Sequence, residues 1–352
     1  MSVSALDFGT TRQGQPTHLF RMTNASGMQV DVTDLGASIV SVRVPDAQGR
    51  LVDVALGYDD VARYEDNRVA LGGIVGRCCN RIAGASFTLE GRTFHLTANE
   101  GANTLHGGRD MWFERLWDGA LIGRRGRRRK GADADTVTFG LFSPDGDQGF
   151  PGEVDARVTY QLTDDNELVL TYDAQPGVET IINLTNHTYW NLDGHDAGDV
   201  RGHTLQVFAE TYTPTDDELI PTGIEESVEG TPLDFREPKT LMAAYEQGLS
   251  GLDHNFVVSH GRRQSHHAAR LSAAHSGITL DVFSEFCALQ VYDGGILDGL
   301  AGKDGVTYGA YAGIALETQF CPDAIHHPAF EQPVCTPDHP FTRRTVLKFG
   351  LA

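Results

Sequence analysis

Between residues 153 and 162 the chain alternates strictly. Val154, Ala156, Val158, Tyr160 and Leu162 interleave with Glu153, Asp155, Arg157, Thr159 and Gln161. A period of two is the repeat of a strand with one face buried and the other wet. The polar run Thr163-Asp164-Asp165-Asn166-Glu167 reads as a turn, after which Leu168, Leu170 and Tyr172 resume the alternation. The pair therefore predicts an antiparallel hairpin. A tighter hairpin is predicted at 87–96, divided by Glu90-Gly91. Further strands are predicted at 28–32, 39–44, 52–56, 136–142, 179–184, 203–209, 269–273, 278–286, 311–317 and 342–349. Helical signals are few. Residues 238–247 combine a helix-friendly composition with proline at the start, and 59–64 read as a single turn. The 40 glycines and 14 prolines fall mainly between the strands, as turns require. Many antiparallel strands with little helix imply an all-β sandwich or barrel. No low-complexity linker and no fixed repeat divides the sequence, so one large domain over residues 1–352 is expected.

Composition sharpens this picture. Hydrophobic residues make up 40% and charged residues 22%, enough to build a packed core. The 28 basic and 48 acidic residues leave a net charge of −20, which argues against nucleic acid or an anionic membrane as the main partner. The five cysteines, Cys78, Cys79, Cys287, Cys321 and Cys335, are odd in number and show no C-x-x-C spacing. They fit small core residues in a reducing compartment better than a disulfide framework or a zinc cluster. Neither a secretion signal nor an apolar run of about 18 residues is seen, so the expected location is cytoplasmic. One segment runs against the overall charge: G-R-R-G-R-R-R-K at 123–130. Such a block is ordinarily a solvated loop, with a site for a phosphate or an acidic partner as the alternative.

Six polar clusters are candidates for chemistry. Residues 76–84 hold Asn80 and the planar fork of Arg81, and 103–108 place two glycines after His106. The stretch 183–193, N-L-T-N-H-T-Y-W-N-L-D, sets His187 among asparagines, threonines, Tyr189 and Trp190. Amides beside aromatic rings suit a site that grips hydroxyls and covers a flat apolar face, as a sugar presents. Asp253 lies in 251–256, Gln290 in 289–292, and Glu317 ends an apolar run at 316–319. A carboxylate closing a buried strand is costly unless it is paired or functional. There is no G-x-S-x-G, no P-loop and no G-x-G-x-x-G opening a helix. Proton transfer on a neutral polar substrate remains.

Taken together, N-R-I-A-G at 80–84, N-T-L-H-G-G at 103–108, N-L-T-N-H-T-Y-W-N-L at 183–192, L-D-H-N-F at 252–256, L-Q-V-Y at 289–292, L-E-T-Q at 316–319 and P-D-A-I-H-H-P at 322–328 resemble the aldose 1-epimerases, or galactose mutarotases. The resemblance runs from about residue 27 to the C-terminus. It implies a large, mostly antiparallel β-supersandwich with an open cleft. It implies an isomerase that interconverts α and β anomers of free hexoses such as glucose or galactose, with no metal and no organic cofactor. Carried over, Glu317 is the general base and His187 the general acid. Asn80, Arg81, His106, Asp253 and Gln290 hold the sugar, with Tyr189 beside His187. The imidazolium and the carboxylate are expected to flank the hemiacetal from opposite ends of one groove. The sequence departs from the family at Cys78-Cys79, at Trp190, and at Gly294-Gly295, where an asparagine is common. A phosphorylated hexose, a disaccharide, a pentose, or sugar binding without turnover stay open as alternatives. The expected partner is a small sugar, and the expected state a monomer or homodimer.

Overall fold

The computed structural model describes residues 2–123, 127–128, 134–261 and 264–352. Of the basic segment at 123–130, residues 124–126 and 129–130 lie outside these.

The alternation at residues 153–162 is realised as the strand Val154–Leu162, whose every second side chain is buried. It pairs antiparallel with Glu167–Pro176, from Val154 opposite Pro176 to Leu162 opposite Leu168. Both belong to a ten-stranded antiparallel sheet. Its order is Arg127–Arg128, Asp118–Gly123, Ala134–Ser143, Val154–Leu162, Glu167–Pro176, Phe341–Leu351, Ile278–Ser284, His266–Ser272, Thr204–Val207 and Lys239–Thr240. The last strand of the chain, Phe341–Leu351, thus lies mid-sheet and joins the two halves.

A five-stranded meander runs from Ser2–Thr10 through Pro16–Thr23, Gln29–Thr33 and Ile39–Pro45 to Leu51–Asp53. A six-stranded sheet carries the site. Its order is Tyr189–Trp190, Ile314–Gln319, Ala288–Tyr292, Asp253–Val257, Thr211–Thr213 and Glu226–Ser227. One apolar cluster draws on all three sheets, with Val30 and Val42, Val158, Leu170 and Leu280, and Leu289 and Leu316 all buried. Burial of such side chains at about 1.5–3 kcal/mol each is the main term holding the layers together.

The all-β expectation holds: among the described residues the α-helices are two short ones, Val61–Tyr64 and Leu241–Glu246. The second starts later than its proline suggested. Lys239 and Thr240 pair with the strand Thr204–Val207, and Thr240 then caps the helix by accepting from the Ala243 amide at 3.2 Å. The predicted strand at 179–184 shrinks to Thr180–Ile181, and the one at 311–317 shifts to Ile314–Gln319, because Tyr311 turns the chain with φ at 63°. Ser2–Thr10, Pro16–Thr23, Asp253–Val257 and Ala288–Tyr292 are strands not predicted from the sequence. No described helix is long and apolar enough to cross a membrane. All five cysteines are buried.

Candidate active site

Strand register builds the floor of the site. Tyr189 opposes Ala315, Tyr292 opposes Ala315 from the other side, Gln290 opposes Glu317, and Asp253 opposes Tyr292. Side chains opposite one another, or two apart on one strand, point to the same face. Tyr189, Glu317, Gln290, Tyr292 and Asp253 therefore share one face of the six-stranded sheet. His187 enters that group just before Tyr189, with ring centroids 4.9 Å apart.

Two crossing loops wall the other side. Asn80 and His106 both adopt left-handed backbone, with φ of 58° and 52°. The His106 amide donates to the Asn80 carbonyl at 3.0 Å, and the Asn80 amide donates to His106 Nδ1 at 3.2 Å. His106 Nδ1 is thus an acceptor, which leaves the ring proton on Nε2. Gly107 makes the crossing possible: its φ is +87°, and a Cβ there would sit 2.2 Å from the Gly76 carbonyl oxygen. Arg81 opposes Leu105 in a two-residue ladder, and its Nε and Nη2 donate to the two Glu100 carboxylate oxygens at 2.6 and 2.9 Å. The motif at 322–328 braces this loop from behind. Asp323 accepts from the Ala83 amide at 3.0 Å and pairs with His326 at 2.7 Å, while its own amide donates to the Arg81 carbonyl.

These elements enclose a cleft of about 330 Å³. At its floor His187 Nε2 lies 3.5 Å from Glu317 Oε1, and both side chains are almost fully buried, at 6% and 3% exposure. Burial works on the two groups in opposite directions. It lowers the His187 imidazole to about 4. It raises the Glu317 carboxyl well above its ordinary value, helped by Asp253 and opposed by Arg81. Both effects disfavour charge in a medium that solvates it poorly. The ligand-free pair is therefore driven toward a neutral imidazole beside a protonated carboxyl. Burial, His187 and Arg81 hold His106 well below its usual range, and burial raises Asp253. Glu317 Oε2, His187 Nδ1 and Gln290 Oε1 make no hydrogen bond within the protein. Buried polar atoms left so are costly until a polar ligand meets them.

A buried imidazole beside a buried carboxyl, under a polar rim, can exchange protons with a polar ligand. The family model described as aldose 1-epimerase matches residues 18–348. The galactose mutarotase of Homo sapiens is 36% identical over 353 residues, covering all of this chain and 99% of that one. The aldose 1-epimerase of Escherichia coli K12 is 36% identical over 96% of each chain. Among solved structures, galactose 1-epimerase from Lactobacillus acidophilus superposes with a TM-score of 0.85 at 27% identity, over all of this chain and 99% of that one.

The chain belongs to the aldose 1-epimerase family.

Of the residues that the family resemblance singles out, Asn80, Arg81, His106, His187, Tyr189, Asp253 and Glu317 line the cleft together. Gln290 lines an adjoining void that shares Asn80, Arg81 and Asp253 with the cleft, and it donates from Nε2 to Asp253 Oδ1 at 2.5 Å. His187 and Glu317 are side by side rather than at opposite ends of the groove. The asparagines that suggested hydroxyl binding serve the backbone instead. Asn183 exchanges hydrogen bonds with both backbone groups of Phe320, Asn186 donates to the Gly72 carbonyl, and Asn191 donates to those of Gly198 and Ala312. Trp190 points into the core against Phe349. Cys78 and Cys79 are also off the cleft. Burial pushes the Cys78 thiol up to about 12, and Cys79 donates to Gln319 Oε1 at 3.2 Å. At Gly294 φ is +70° and a Cβ would meet the Gly313 carbonyl at 2.4 Å, so the local backbone admits no asparagine side chain there. The cleft also takes in residues the sequence reading did not assign: Glu100, Arg68, Met111, Phe113, Leu219 and Ile296. An acidic residue at 100 carried no signal of its own, because its partner Arg81 is distant in the chain.

Proposed function

We propose that this chain interconverts the α and β anomers of free hexoses, glucose or galactose, by acid–base opening and closing of the ring. The observation that carries this is the adjacency of His187 and Glu317 at the floor of a polar cleft. The two oxygens that must exchange protons, the ring oxygen and the C1 hydroxyl, are bonded to the same carbon. A neighbouring acid and base reach both from one side. Glu317 takes the proton of the C1 hydroxyl as His187 delivers one to the ring oxygen. The bond between C1 and the ring oxygen breaks and the C1 carbonyl forms. Rotation about C1–C2 and the reverse transfers give the other anomer.

Over this cycle the pair carries one proton. An imidazolium–carboxylate pair faces the closed sugar, and a neutral imidazole and carboxyl face the open aldehyde. Burial favours the second arrangement, so the site stabilises the ring-opened intermediate. Asn80, Arg81, His106 and Asp253 hold the hydroxyls, Tyr189 backs His187, and Gln290 acts through Asp253. The chain works as one domain, as a monomer or homodimer, in the cytoplasm, where five buried thiols stay reduced. The test is polarimetric: pure α-D-glucose or α-D-galactose is dissolved with and without protein. Rotation should decay faster with protein; decay at the buffer rate across a panel of aldoses removes the proposal.

A further inference from the structure

A pyranose and its 6-phosphate present the same anomeric centre, so the acid–base pair alone cannot tell them apart. Discrimination has to come from the charge lining the cleft. A guanidinium with free donors is a ready fork for a phosphate. Arg81 lines this cleft but is not free: both ends of its fork are taken by Glu100 at 2.6 and 2.9 Å, with Arg81 only 11% exposed. The pair is fixed from both sides. The Glu100 and Asn103 backbones bond reciprocally, Asn103 Oδ1 accepts from the Gly84 amide at 2.9 Å, and Arg81 is laddered to Leu105. The other arginine lining the cleft, Arg68, sits 3.4 Å from Asp66. Among the described residues lining the cleft, no arginine or lysine lacks an acidic partner.

We propose that Glu100 is a positioning and specificity-determining residue. It holds the Arg81 fork in place for sugar hydroxyls and cancels its charge, so that the cleft accepts neutral aldoses and rejects phosphorylated ones. This rests on the epimerase assignment above. The pinned guanidinium keeps its remaining N–H donors for neutral hydroxyls at fixed geometry. Releasing it frees both its position and its charge.

The test uses the full chain with Glu100→Gln and Glu100→Asp, with thermal melts to verify folding. Mutarotation of glucose and glucose 6-phosphate is followed, and inorganic phosphate is titrated as an inhibitor. For the unaltered protein, glucose should be turned over far better than glucose 6-phosphate, with little inhibition by phosphate. In Glu100→Gln, KM for glucose should rise about tenfold with kcat within about threefold, as loss of a charge-assisted bond implies. Phosphate should become a competitive inhibitor, and the preference for glucose over its 6-phosphate should shrink about tenfold. Glu100→Asp, which keeps the charge, should keep phosphate rejection while KM moves partway. An active Glu100→Gln protein that rejects phosphate as well as the unaltered protein overturns the proposal. So does an unaltered protein that handles both sugars equally. An unaltered protein that accelerates no mutarotation overturns the epimerase assignment itself.

Discussion

Under the proposed mechanism, one proton shared by two buried groups sets what each can do at the residue scale. Removing the carboxylate base while keeping its shape should cost most of the rate. Glu317→Gln is expected to lower kcat by roughly 10²–10⁴ with a much smaller change in KM, measured by polarimetry at saturating sugar. The pH profile follows from the same pair. Below about 4 the imidazole also holds a proton, both groups are acids, and no base remains. Above the raised Glu317 range both are bases. Activity should therefore fall on the acid side toward about 4 and again above the raised Glu317 range, with limbs that belong to the pair. Stability responds separately. The imidazole has an ordinary value of 6.5 and falls to about 4 when folded. Between these values the unfolded chain binds the proton and the folded one does not. The contribution of His187 to stability is thus full above about 6.5 and is lost as pH drops toward 4, by on the order of 3 kcal/mol. His187→Gln should flatten that part of a urea-midpoint versus pH curve; an unaltered slope would show the group is not titrating there.

At the scale of elements, two loops and one sheet face make the cleft, and each has a brace that can be removed. Gly107→Ala forces a Cβ against the Gly76 carbonyl at 2.2 Å and should separate the His106 and Asn80 loops. The expected result is loss of more than about 2 kcal/mol of stability together with activity, read by thermal and urea unfolding. Asp323→Ala removes the acceptor of the Ala83 amide and the partner of His326. It should raise KM more than it lowers kcat, because it loosens Arg81 and leaves His187 and Glu317 untouched.

What the sequence disclosed depended on where water lay. Val154–Leu162 was readable because one face is wet. Ala288–Tyr292 and Ile314–Gln319 are buried on both faces, so no alternation marked them. The first appeared only as a polar cluster and the second only as an apolar run with shifted ends. The site residues were legible as family motifs. Their adjacency was not, because it arises from register between strands far apart in the chain. The asparagines at 183, 186 and 191 misled for a related reason: their types suit a hydroxyl or a peptide group equally, and only the folded chain decides which they meet.

At the scale of the whole molecule, the ten-stranded sheet depends on its last strand. Phe341–Leu351 pairs on one side with Glu167–Pro176 and on the other with Ile278–Ser284. Deleting residues 341–352 opens two interior edges and should abolish cooperative folding rather than trim stability, as circular dichroism melts and size-exclusion chromatography would show. The same placement governs the order of events during synthesis. Strands from the first half of the sheet emerge from the ribosome long before the segment that closes them. A nascent chain must therefore carry two raw edges until residues 341–351 are free, and products stalled or truncated before them are exposed to edge-to-edge aggregation for as long as that wait lasts.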